Sequence, residues 1–119
     1  MTGTTTLELP RQTSAAGIAR LIMTAHGASL AVEQRKSANL MISELVTNAF
    51  RHGQGRIELT VRSGADGIHA EVHDDGDGTG IAMAQTPRER GGWGLYFVDR
   101  LATSWGVEPD QARVWFKVA

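Results

Sequence analysis

A chain of 119 residues with no cysteine and a formal net charge of −1 has the size of one domain and cannot build a disulfide, a zinc–thiolate site or a cysteine nucleophile. Its balanced charge speaks against generic nucleic-acid binding, which needs a basic face, and no apolar run approaches the ~20 residues that span a bilayer. The N-terminus lacks the basic-then-apolar pattern of a secretory signal, so a soluble, cytoplasmic domain covering residues 1–119 is expected.

Residues 4–9 (TTTLEL) predict a short strand ended by Pro10. From Thr13 a helix is expected, with Ile18, Leu21, Ile22 and Ala25 as its apolar face and Gly27 as its stop. His26, near that helix end, reads as a surface residue compatible with the helix dipole. A second helix is expected from Ala31 to His52, stopped by Gly53, with Ala38, Met41, Ile42, Leu45 and Ala49 on its apolar face.

Two alternating strands follow. Ile57, Leu59 and Val61 face one way in the first, and Ile68, Ala70 and Val72 do so in the second. Residues 63–67 (SGADG) form the turn between them. Period-two alternation means one wet and one buried face. His69, Glu71 and His73 share the wet face, a solvated strand more readily than a metal site. A helix near Trp93–Ala102 and strands near Ser104–Glu108 and Arg113–Val118 close the chain, Trp115 serving either to cap the sheet or in a protein interface. The order predicts an α+β fold, a two-layer α/β sandwich with helices on one face of a mixed, mainly antiparallel sheet.

Glycine accounts for 14 residues, and Gly76, Gly78, Gly80, Gly91, Gly92 and Gly94 crowd into one stretch, the pattern of backbone brought close to a ligand. Three polar elements surround that stretch. In the second helix Glu44 and Asn48 lie about 40° apart, and Arg51 about 20° from Glu44 on the other side. A carboxylate, an amide and a guanidinium side by side suit a hydrated cation and phosphates. The same stripe could also be a solvated helix edge. His73-Asp74-Asp75-Gly76-Asp77-Gly78 begins where a buried strand ends. Asp74 there can accept a hydrogen bond from an exocyclic amine, although an acidic surface turn has the same composition. A calcium loop would need spaced ligands and a terminal Glu that are missing. Gly91-Gly92-Trp93-Gly94-Leu95 opens a helix, where backbone N–H groups can approach phosphate. It is neither a Walker A motif nor a Rossmann fingerprint.

Taken in order, ELVTNAFRHG, DDGDG and GGWGL resemble the N, G1 and G2 boxes of the GHKL, or Bergerat-fold, ATP-binding superfamily. That superfamily includes histidine-kinase catalytic domains and type II topoisomerase ATPase domains. Within it the chain most resembles the small bacterial anti-sigma-factor serine/threonine kinases. The resemblance implies ATP and Mg2+ as ligands. It implies Glu44 as general base, Asn48 as magnesium ligand, and Arg51 and His52 near the phosphates. It further implies Asp74 on the adenine amine with Gly76 and Gly78 shaping the pocket, Arg90 as a lid arginine on the γ-phosphate, and Gly92, Gly94 and Leu95 as the glycine box. The implied partners are an anti-sigma-factor antagonist and a sigma factor, with a homodimer as one assembly open to the chain and neither nucleic acid nor membrane. The lid, Ile81–Arg90, is short for that group, and Trp93 is bulky between two glycines. A second functional reading is a regulatory module that binds ATP and acts by capturing a partner without phosphotransfer.

Overall fold

The alternating segments pair as the periodicity requires. The computed structural model describes residues 3–78 and 94–119. Its strands are β1 (Gly3–Leu9), β2 (Ile57–Gly64), β3 (Gly67–Asp74), β4 (Ser104–Glu108) and β5 (Arg113–Val118). They form one sheet in the order β1-β2-β3-β5-β4. All four pairings are antiparallel, in keeping with the mainly antiparallel sheet expected, and no parallel pair occurs among the described residues. The β2–β3 hairpin closes at Gly64 opposite Gly67. Gly67 takes φ +104°, and a Cβ there would collide with the Val118 carbonyl, so only glycine suits this corner.

The helices are α1 (Ala15–His26), α2 (Val32–His52) and α3 (Gly94–Leu101). Ile57, Leu59 and Val61 of β2, Ile68, Ala70 and Val72 of β3, and Val114, Phe116 and Val118 of β5 are buried on the face that the helices cover. Ala38, Met41, Ile42, Leu45 and Ala49 of α2 lie buried against them, joined by Val46. Each Val, Leu, Ile, Met or Phe among them contributes roughly 1.5–3 kcal/mol when fully buried. At the start of α2 the Gln34 side chain reaches back to accept the Ala31 N–H at 3.1 Å, half of a capping box. Among the described residues no helix is long and apolar enough to cross a membrane.

On the open face of the sheet, Glu71 and Glu108 pair with Arg113, and His73 lies 3.9 Å from Glu58. His69 stacks on Trp115 with centroids 5.4 Å apart. Among the described residues no group of three or more His, Asp or Glu is arranged to hold a metal ion.

α1 departs from expectation. Its buried residues are Ala15, Ala19, Met23 and His26. Ile18 and Ile22 only flank the core, Ala25 is exposed, and Leu21 is 73% exposed. The inward stripe combines the small Ala15 and Ala19, which permit close packing, with the larger Met23 and His26. His26 is therefore not a surface residue: it is 6% exposed. Its Nε2 lies 2.7 Å from Thr5 Oγ1 of β1 and its Nδ1 lies 2.8 Å from Ser63 Oγ of β2. A buried imidazole satisfied at both nitrogens ties the helix end to two strands.

His26→Ala should lower the unfolding free energy by about 2–3 kcal/mol, from two lost buried hydrogen bonds and the space left behind. Urea denaturation checks this, and a loss under about 0.5 kcal/mol would show that the two bonds contribute nothing to stability.

Candidate functional site

The polar stripe expected on α2 is present and half sunk into the protein. Glu44 and Asn48 are both half-buried, while Arg51 beyond them is exposed. Burial raises the Glu44 carboxyl above its ordinary value of 4.5, and the positive charge of Arg51 offsets part of that rise. Asn48 is less comfortable. Its Nδ2 is buried and has no hydrogen-bond partner among the described residues, which costs about 1–3 kcal/mol in a folded protein. Rotating the amide about χ2 exchanges its nitrogen and oxygen, so the same position can offer an oxygen to a cation. The residues present thus fit a hard ion with oxygen ligands, with Asn48 as the protein's own contribution.

α2 ends beside the end of β3. Gly53 N–H makes the last helical bond, to Ala49 O at 3.0 Å. The next N–H, that of Gln54, turns to Asp74 Oδ1 at 3.2 Å. Gly76 N–H donates to the same oxygen at 2.7 Å. A Cβ on Gly53 would collide with Asp74 Oδ2, and one on Gly76 would lie 2.7 Å from Asp74 Oδ1. Two glycines from different loops thus leave room for one carboxylate. Oδ1 is engaged by backbone, whereas Oδ2 makes no hydrogen bond among the described residues. From Asn48 to Gly53 is five residues, about 7–8 Å along the helix axis at 1.5 Å per residue. Asp74 thus stands at the C-terminal end of the helix that carries Asn48 and, one turn earlier, Glu44.

Neighbouring groups hold this corner rigid. Asp75 accepts from Arg56 N–H at 2.7 Å and pairs with its guanidinium at 3.3 Å. The backbone bond from Arg56, with that charge beside it, holds the Asp75 carboxyl below its usual range. Gly78 takes φ +88° and is packed so tightly on Pro109 that a Cβ would meet its carbonyl. Its part is to turn the chain.

His52 is half-buried and has interactions of its own. Leu95 is 4% exposed, a core residue that anchors α3, and Gly94 begins that helix. Arg90 and Gly92 lie outside the described residues. Sequence reasoning treated Gly53 only as a helix stop and missed Gln54. The signal for both was the short spacing between the helix end and the next strand, whose partner at that level is Asp74.

The histidine kinase-like ATPase domain family matches residues 9–118. No curated protein matches the sequence. Among solved structures, the RsbU and RsbW domains of Rv1364c from Mycobacterium tuberculosis superpose with a TM-score of 0.67 at 20% identity. That similarity covers 95% of this chain and 30% of the other.

Two stability measurements probe the stripe. Asn48→Leu should leave the ligand-free protein as stable as wild type or about 1 kcal/mol more so, since it deletes an unpaired buried donor at similar volume. A clear loss in urea midpoint would mean that the amide is paired. For Glu44 the folded pKa lies above the unfolded one, so its contribution is present below the unfolded value and is lost as pH rises through the folded value. Glu44→Gln should therefore gain on wild type as pH rises from about 4.5 towards neutrality. Parallel stability curves across that interval would remove burial as the cause.

Proposed function

The chain belongs to the histidine kinase-like ATPase domain family, and from that premise we propose that residues 1–119 act as one Mg-ATP-binding domain that phosphorylates Ser or Thr of a partner protein. The observation that carries this reading is the buried Nδ2 of Asn48, unpartnered among the described residues, one helical turn from a half-buried Glu44 whose carboxyl burial raises above its ordinary value. The antagonist of an anti-sigma factor is the substrate that the sequence resemblance implies, and a sigma factor is the second partner.

In this reading Asp74 recognises the base. Its Oδ1 is held by Gln54 and Gly76 N–H, which aims Oδ2 at an exocyclic amine. Adenine presents that amine, whereas guanine presents a carbonyl that a carboxylate repels. Asn48 would hold Mg2+, which when bound neutralises phosphate charge. Arg51 and His52, in the last turn of α2, stand where phosphates would pass. Glu44 takes the proton of the incoming hydroxyl as its oxygen bonds to the γ-phosphorus and ADP leaves. Arg90, Gly92 and Gly94 complete the phosphate side in the proposal.

Calorimetry and single-turnover transfer test this together. Wild type should prefer ATP to GTP clearly and need Mg2+. Asn48→Ala should weaken Mg-ATP binding at least tenfold (about 1.4 kcal/mol), and Asp74→Asn should narrow the ATP–GTP preference. Glu44→Gln should bind ATP within a few-fold of wild type and lose about 10²–10⁴-fold in transfer. A wild type that takes GTP as readily as ATP would overturn the base pocket. A wild type that binds ATP and captures its partner without transferring phosphate would replace the kinase with a nucleotide-gated binder.

A further inference from the structure

Arg11 follows β1 and belongs to none of the motifs above. Its guanidinium nevertheless reaches across the fold to two main-chain oxygens, donating from Nη1 to Phe50 O and from Nε to Gly55 O, each at 2.8 Å. Both acceptors are significant. In a continuing α-helix, Phe50 O would accept the N–H of the residue four places on, which is Gln54. Here that bond is divided between two outside partners: Arg11 takes the acceptor and Asp74 Oδ1 takes the donor. The second acceptor, Gly55 O, lies in the loop that leads to β2. Gly55 has φ +67°, and a Cβ on it would lie 2.5 Å from Asp75 Oδ2. On the other side of the loop Asp75 N–H donates to Gln54 O at 2.8 Å. The segment Gly53–Arg56 is thus held between Arg11 on one flank and Asp74 and Asp75 on the other.

We infer that Arg11 is a positioning residue of the nucleotide site: by occupying Phe50 O it stops α2 at His52 and leaves the Gln54 N–H for Asp74, whose carboxylate is thereby aimed at the base. Without Arg11, Phe50 O becomes an orphaned helix-terminal carbonyl. The donor that continued helical geometry would bring to it is Gln54 N–H, which can serve Phe50 or Asp74 but not both. Recapture of Gln54 by the helix would release one of the two restraints on Asp74 Oδ1. This inference rests on Asp74 being the base acceptor proposed above. Arg11 needs no contact with the nucleotide, since two of its donors are already spent on backbone.

The test uses the full chain with Arg11→Ala and Arg11→Lys, and it has two arms. In the first, backbone amide exchange is followed by NMR without nucleotide. Arg11→Ala should change protection at Gln54 and Arg56 about tenfold or more, while core amides of β2 and β3 keep theirs. In the second, calorimetry with ATP and GTP should show ATP binding about tenfold weaker, the equivalent of one charge-assisted hydrogen bond. The ATP–GTP preference should shrink at the same time. Lysine keeps a cationic donor able to reach one carbonyl, so Arg11→Lys should recover part of both effects. Unchanged exchange at Gln54 and Arg56, with ATP and GTP weakened equally, would mean a direct phosphate contact and would overturn the positioning role. A lower melting temperature with unaltered affinity and preference would overturn it too, leaving Arg11 as a brace alone. A wild type that binds neither nucleotide fails the nucleotide reading itself, and is recognisable because exchange at Gln54 still responds to Arg11→Ala.

Discussion

Everything proposed for this molecule turns on one carboxylate placed between two chain segments. Asp74 ends β3 at the level where α2 runs out, and its Oδ1 accepts N–H groups from Gln54 and Gly76. Those bonds satisfy backbone donors that would otherwise be orphaned at a helix end and at a loop. They also join the helix bearing Glu44 and Asn48 to the glycine-rich loop. Gly53 and Gly76 are needed because the carboxylate occupies the volume that their side chains would fill. The corner is thus assembled from segments about twenty residues apart, and the group that assembles it is the one proposed to meet the base.

α2 serves two environments at once. One side, from Ala38 to Ala49, is sealed against the sheet. The adjoining stripe is kept half-buried, where a carboxyl is harder to ionise and an amide harder to satisfy. A helix chosen for stability alone would carry aliphatic or fully solvated residues there. Holding Glu44 and Asn48 in that position costs stability, a pattern that perturbed groups at functional sites share. The rigid sheet beneath makes this tolerable, because its inner rows from β2, β3 and β5 are almost wholly buried and register-locked.

Polar ties far apart in sequence set how the layers sit. His26 joins α1 to β1 and β2 over separations of 21 and 37 residues. Arg11 joins the connection between β1 and α1 to the end of α2 and the loop beyond over 39 and 44 residues. The hydrophobic effect has no direction and would accept several rotations of α1 on the sheet. Hydrogen bonds have direction, and these select one.

The sequence by itself determined what depends on local periodicity and turn chemistry. The five strands, the α2 core face, the turn at residues 63–67 and the order of three polar motifs are all legible because alternation, helical spacing and glycine act over a few residues. Those grounds placed residues 44 and 48 on one helix face; the choice of residue 74 and the roles of all three came only with the family resemblance. Only the tertiary structure decided which face of α1 is covered, since Ile18, Leu21, Ile22 and Ala25 make an apolar stripe as good as the one actually used. Close packing favoured Ala15 and Ala19, whose small size lets two layers approach, and it drew His26 inside with them. The sharing of the Phe50–Gln54 pair between Arg11 and Asp74 was likewise invisible, because hydrogen bonds across 39 and 20 residues leave no periodic trace in the chain. Local rules specify elements; the competition for each exposed donor and acceptor is settled only when those elements meet.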